Sequence, residues 1–206
     1  LIPLDCVDSD DLAIMAEGVD EVIIDKGSKE WLEDTCSSIL PQFLELRNEF
    51  LEPSTSLCNI NAFRNYLPGS VHQEELHLLL IESLSPARSI KEAYRHTVET
   101  SRLLEEFSRF SFPLFHLGKS LFCFVVGRGG KDMIRSMCHS LTNFARNGGL
   151  RRIHIGFTSL SKDRHQTMSS RRIAEALIDE AWNALHYASR RGPYSFCDFQ
   201  LLIKPE

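Results

Sequence analysis

Phe115-His-Leu-Gly-Lys-Ser-Leu-Phe-Cys-Phe-Val-Val126 decides how the rest of this chain is read. An apolar run follows a Gly, and a Lys, a Ser and a Leu stand at the turn, which is the layout of two strands joined tightly at Gly118. Hairpin tips are also where enzymes hold carboxylates for metal ions. This tip has none, because Lys119, Ser120 and Leu121 occupy it. Plain scaffolding and an altered site are both compatible with the stretch alone.

The 206 residues are 43% hydrophobic and 25% charged, the balance of a globular chain with one large domain or two small ones. Nothing approaches the roughly 18 consecutive apolar residues of a membrane span, and the first residues lack a basic-then-apolar leader, so a cytoplasmic protein is expected. Cys6, Cys36, Cys58, Cys123, Cys138 and Cys197 are scattered, without a CxxC pair, and read as reduced, mostly buried thiols. Charge is uneven: residues 1–52 hold 14 acids against 3 bases, whereas 53–206 hold 20 bases against 14 acids. That break places a domain boundary near Glu52-Pro53. The basic part suits an anionic ligand, or an electrostatic attraction between two domains.

Leu1–Leu4 reads as a short strand, followed by an acidic helix start at Asp8 and a helix ended by Gly18. Val22–Ile24 is a β-branched strand, and Ser28 caps a helix with Trp31, Leu32, Cys36, Ile39 and Leu40 on its apolar face. Two parallel strands cannot form a covered sheet alone, so residues 1–40 are expected to be the remainder of a larger α/β unit. Pro41 to Glu52 reads as a connector helix, striped with Phe43, Leu44, Leu46, Phe50 and Leu51, which packs on its own domain or on a second copy.

From Pro53 onward the spacing predicts a helix at 60–67, a strand at 76–82, a long helix at about 86–108, the hairpin, a helix at about 130–147, a strand at 151–159, a helix at 169–190 and a last strand at 194–203. This is an α/β pattern with helices covering one mostly antiparallel sheet. In the long helix Ile90, Ala93, Tyr94, Val98, Leu104 and Phe107 make the expected core face.

Two resemblances follow from these residues. Gly18-Val-Asp-Glu-Val-Ile-Ile-Asp-Lys-Gly-Ser28 resembles the end of a response-regulator receiver domain, with Lys26 in the place of its phosphoryl-contacting lysine. Asp5 and Ile23 stand where that family has a small hydroxyl residue and an aromatic switch residue, so the likeness is to a partial, degenerate receiver of a two-component system. Glu52-Pro-Ser-Thr-Ser-Leu-Cys-Asn-Ile-Asn-Ala-Phe63 resembles the opening motif of the GGDEF (diguanylate cyclase) family, with Thr55, Leu57, Asn59, Ala62 and Phe63 in place. Leu78–Glu82, Arg152–Ser159 and Ala181–Gly192 resemble three later landmarks of that family in order. The implied organisation is a partial receiver-like domain at 1–40, a connector at 41–52 and a GGDEF domain at 53–206.

On this resemblance His116-Leu-Gly-Lys-Ser-Leu-Phe122 occupies the place of R-L-G-G-D-E-F. Gly118 and Phe122 remain, while the second Gly and both acids are Lys119, Ser120 and Leu121. Diguanylate cyclases join two GTP molecules using divalent metal, and phosphoryl transfer of that kind depends on metal carboxylates. Glu82 is the only retained acid. The family's phosphate-gripping base falls on Ser189, its G-R-N on Gly192-Pro193-Tyr194, and its guanine-reading Asn and Asp near Lys91, where neither type is present. No metal and no catalytic residue are therefore expected. The family's product-binding R-x-x-D falls on Arg109-Phe-Ser-Phe112, which keeps the Arg and suits altered cyclic di-GMP binding, with the Phe as a stacking face, or else a surface Arg at a helix end.

Gly127-Arg-Gly-Gly130 lacks the Lys-Ser/Thr of a phosphate loop and reads as a turn, and the eight histidines form no HxxxH or HExxH spacing. The Arg151-Arg152, Arg171-Arg172 and Arg190-Arg191 pairs have no interleaved aromatics to stack bases, so nucleic acid is not an expected partner. What the resemblance implies is a non-catalytic bacterial signalling module. Its partner would be a GGDEF, EAL or HD-GYP domain or a second copy. The alternatives are a cyclic di-GMP or nucleotide receptor using Arg109, and a residual cyclase.

Overall fold

Asn59 organises the start of the described chain. Its side-chain oxygen accepts from the Asn61 and Ala62 amides at 2.9 and 3.2 Å, capping helix α1 (Ile60–Ser70), while its amide nitrogen donates to the Glu49 carbonyl at 2.8 Å. One side chain thus satisfies a helix end and ties down the segment before it. The structure is a computed structural model that describes residues 49–203, residues 110 and 166 excepted. The chain divides into two compact units, Leu1–Arg47 and Asn48–Glu206. The receiver-like reading of 1–40, and the connector up to residue 48, lie outside the described residues.

The elements after α1 are β1 (His77–Ser83), α2 (Ile90–Ser108), β2 (Leu114–Gly118), β3 (Leu121–Val126), α3 (Lys131–Asn147), β4 (Ile153–Ser159), α4 (Lys162–His165), α5 (Ser170–Ser189), β5 (Ser195–Asp198) and α6 (Gln200–Ile203). The strands form one sheet in the order β2-β3-β1-β4-β5, antiparallel except for the β4–β5 pair. The parallel pair needs the long crossover that α4 and α5 supply. This is the mostly antiparallel, helix-covered α/β sheet expected from the spacing.

Alternate residues of the central strands face opposite layers. Leu79, Ile81, Phe122, Phe124 and Phe157 pack with Leu104 of α2 and Ile134, Cys138 and Leu141 of α3. Leu78, Leu80, Cys123 and Val125 pack with Phe63 and Leu67 of α1 and Leu177, Ala181 and Leu185 of α5. Both faces are covered, which is why β1 and β3 read as continuous apolar runs. Cys123, Cys138 and Cys197 are buried free thiols, and desolvation pushes all three up from the ordinary thiol value.

Three expectations are corrected. The core face of α2 holds only in its C-terminal half: Leu104 is buried, but Ile90 is 91% exposed, and Ala93 and Tyr94 are exposed too. At about 1.5 Å per residue a 19-residue helix runs about 28 Å, whereas a 7-residue strand reaches about 23 Å, so the helix is longer than what it covers. The helix also starts at Ile90 rather than near 86, where Ser89 accepts from the Glu92 amide and Glu92 reaches back to the Arg88 amide at 2.7 Å. The last strand is short. It ends at Asp198, a buried carboxylate that holds Arg135 at 2.9 Å and accepts from the Gln200 amide at 3.0 Å, starting α6.

His77 opens β1 from a buried position. Its Nε2–H donates to the Gly129 carbonyl, so Nδ1 accepts from the Ser159 hydroxyl at 2.7 Å and the ring is neutral. Desolvation by burial lowers its pKa from the ordinary 6.5, with the Gly129 hydrogen bond and the Glu75 carboxylate opposing that shift. The unfolded chain therefore takes up a proton before the native state does. The stability held above pH 6.5 falls as pH drops below that value. Urea midpoints measured between neutral pH and pH 5 should decline for the native chain and decline less for His77→Gln; equal slopes would remove His77 as a cause.

Candidate functional site

The hairpin tip is built from backbone requirements that its side chains do not share. Gly118 (φ 110°) and Lys119 (φ 52°) both lie in the left-handed region, and the strand register shifts between His116 and Gly118. A Lys there carries roughly 1–2 kcal/mol of strain that a Gly would not. Offsetting contacts hold the conformation. His116 Nε2–H donates to the Lys119 carbonyl at 2.9 Å, closing the turn from inside. Nδ1 must then accept, and Thr55 Oγ1 donates to it at 3.1 Å. The ring stacks on Phe122 with centroids 4.6 Å apart and planes 15° from parallel. Thr97 Oγ1 reaches the Lys119 carbonyl at 3.4 Å, and the Ser83 amide donates to the Ser120 carbonyl at 3.0 Å. Every one of these contacts to residues 119 and 120 uses a main-chain carbonyl.

The sheet register then determines what faces Glu82. It is paired with Leu121 on β3 and with His154 on β4. Leu121 packs toward the core beneath α1 and α5 and offers no ligand atom. The Glu82 carboxylate lies 3.6 Å from His154 Nδ1, and that nitrogen is buried without a hydrogen bond. One carboxylate and one imidazole do not fit a pair of hard cations, each of which takes about six or more oxygen ligands. Among the described residues no cluster of three or more His, Cys, Asp or Glu side chains could share a metal ion. On the other face of β1, Ser83 Oγ is held between His96 Nε2 at 2.9 Å and the Thr100 hydroxyl at 3.2 Å.

A groove of about 970 Å³ runs between residues 54–56 and α2, with Lys91, Tyr94, Arg95 and Arg102 among its lining. Lys91 lies there with Glu92, Glu99 and Glu105, carboxylates that the spacing did not single out. At the N-terminus of α2, Ser89 Oγ accepts from the Glu92 amide, and the Glu92 carboxylate accepts from the Arg88 amide just before the helix.

The remaining sequence candidates separate in space. Arg109 is the C-cap of α2 in the left-handed conformation (φ 44°), where its charge complements the helix end. Phe112 packs edge-on against Phe124 at 4.8 Å and lines an apolar groove of about 900 Å³ with Phe107, Met133 and Met137, a lining that does not include Arg109. Ser189 spends its hydroxyl on the His186 carbonyl. Tyr194 donates its hydroxyl to the Leu150 carbonyl, and Arg146 lies 4.6 Å from its ring centroid, so this turn is braced by an aromatic. His116 and His154 escaped sequence reasoning as site residues. The signal for His116 was its place beside Gly118; His154 had none.

No protein-family model matches the sequence, and no curated protein is similar to it in sequence. Solved structures are similar in fold. The coiled coil and GGDEF domain of DgcB from Caulobacter crescentus, in complex with c-di-GMP, superposes with a TM-score of 0.66 at 13% identity, over 82% of this chain and 98% of that one. The FimX GGDEF domain from Pseudomonas aeruginosa gives 0.58 at 16% identity, over 70% and 96%. The S helix-GGDEF-EAL structure of LapD from Vibrio cholerae, bound to c-di-GMP, gives 0.54 at 15%, over 80% of this chain and 40% of that one. The sheet order, the covering helices and the hairpin described above are those of a GGDEF-type fold.

Proposed function

We propose that the chain is a catalytically inactive GGDEF-type module of bacterial cyclic di-GMP signalling, acting in the cytoplasm as a regulatory or protein-interaction domain. The observation that carries this is the contrast within one hairpin. Its backbone is closed by His116 and Phe122, while the position facing Glu82 is Leu121 and the tip is Lys119-Ser120. A metal-dependent phosphoryl transfer needs charge neutralisation that a single carboxylate beside an imidazole does not provide. The degenerate receiver-like segment at 1–40 belongs to the same reading. Partners are a GGDEF, EAL or HD-GYP domain, or a second copy of the chain.

The second reading is a cyclic di-GMP receptor. It is favoured by the exposed Arg109, whose guanidinium has no hydrogen bond or ion pair among the described residues. Incubation with GTP and Mg²⁺ should yield no cyclic di-GMP, and product formation would overturn the main reading. Calorimetric titration with cyclic di-GMP separates the two: saturable binding lost in Arg109→Ala supports the receptor, and no heat supports the interaction module.

A further inference from the structure

Helix α5 buries one side against the sheet and leaves the other to solvent, and the exposed side is ordered. Glu175, Asp179, Trp182, Asn183, His186 and Arg190 recur along it at helical spacing, with Arg190 as the C-cap. Trp182 is 51% exposed, a large apolar surface for a residue in the middle of a soluble face. Asp179, His186 and Arg190 have no side-chain hydrogen bond or ion pair among the described residues, and Glu175 meets only the exposed Arg171 at 3.4 Å.

We propose that this face docks a second copy of the chain, α5 against α5, antiparallel about a two-fold axis between Trp182 and Asn183. The charge order carries the inference. Glu175 and Asp179 lie as far to the N-terminal side of that point as Arg190 and His186 lie to the C-terminal side. Antiparallel pairing therefore sets each Glu175 opposite the partner's Arg190, and each Asp179 opposite the partner's His186, twice over by symmetry. Parallel pairing would oppose Glu175 to Glu175 and Arg190 to Arg190. The pattern is self-complementary in one orientation only. At the centre the two Trp182 rings meet as aromatic anchors, with the charges as a surrounding rim. The macrodipoles of antiparallel helices also oppose each other favourably.

This surface gives the interaction-module reading a partner, and rests on that reading for its role. Its evidence is the charge order, so assaying the same preparations for GTP turnover tests the loss of catalysis independently. Sedimentation velocity of the full chain over a concentration series should show a monomer–dimer equilibrium. Glu175→Arg and Arg190→Glu should each raise the dissociation constant at least about tenfold, since each places like charges opposite at two contacts. Mixing the two variants in equal amounts should restore association, because both contacts in the mixed dimer then join opposite charges. Trp182→Ala should weaken association in either background. Circular dichroism and unchanged urea midpoints verify that these surface variants fold. A monomeric native chain, variants that associate like the native chain, or a mixture no tighter than either variant alone would overturn the proposal.

Discussion

Gly156→Ala should destabilise the described unit by about 3 kcal/mol or more, at the upper end of what overpacking costs. A Cβ on Gly156 would come to 2.0 Å from the Leu185 amide nitrogen and 2.3 Å from the Ala181 carbonyl oxygen. Both are main-chain atoms of α5, so no side chain can turn aside and the helix itself must lift from the sheet. It is held down nearby by Glu180, which accepts from Thr158 Oγ1 at 2.5 Å and pairs with Arg164 at 2.6 Å. Moving α5 would also loosen Leu177, Ala181 and Leu185 from the core beneath it. The expected outcome in urea is a large drop in midpoint with little change in slope. An unfolding free energy within about 0.5 kcal/mol of the native chain's would mean that α5 does not seat on β4 as described.

Phe122→Ala should cost about 3–5 kcal/mol, the usual range for emptying a fully buried aromatic position. Phe122 has 0% exposure, packs in the core beneath α2 and α3, and supports the His116 ring on its face. Loss of that ring also frees His116, which closes the turn through the Lys119 carbonyl. Ser120→Asp, by contrast, changes a residue whose described contact is through its carbonyl, and should move stability by no more than about 0.5 kcal/mol. The pair of measurements tests whether the hairpin is retained for its shape. If Ser120→Asp were as costly as Phe122→Ala, the side chains at the tip would have a structural role that the geometry does not give them.

Much of the fold was legible because it depends on near neighbours. The apolar run of β3, the glycine turn at Gly118 and the helices at about 130–147 and 169–190 each follow from residues within a turn or two of one another. Their bounds were reached to within a few residues for α3 and α5. The start of α2 at Ile90 was a local misreading, set by the Ser89 cap; the other misreadings were non-local. Ile90 and Tyr94 have helical spacing, but spacing reports a side and not how far a helix outruns its strands. The last strand stops at Asp198 because Arg135, 63 residues away, receives its carboxylate.

The candidate site divides in the same way. That Ser120 and Leu121 fall, on the resemblance, in the place of the two acids of the GGDEF signature, and Lys119 in the place of its second Gly, is a matter of residue identity alone. That Glu82 faces Leu121 and His154 is a matter of sheet register, as is the closure of the hairpin by Thr55 and His116 across 61 residues. Short-range propensity and residue identity are written in the chain one stretch at a time. Register, burial and the partner of a lone carboxylate arise only when distant stretches share one core, where packing and hydrogen-bond satisfaction choose among arrangements that local sequence leaves equal.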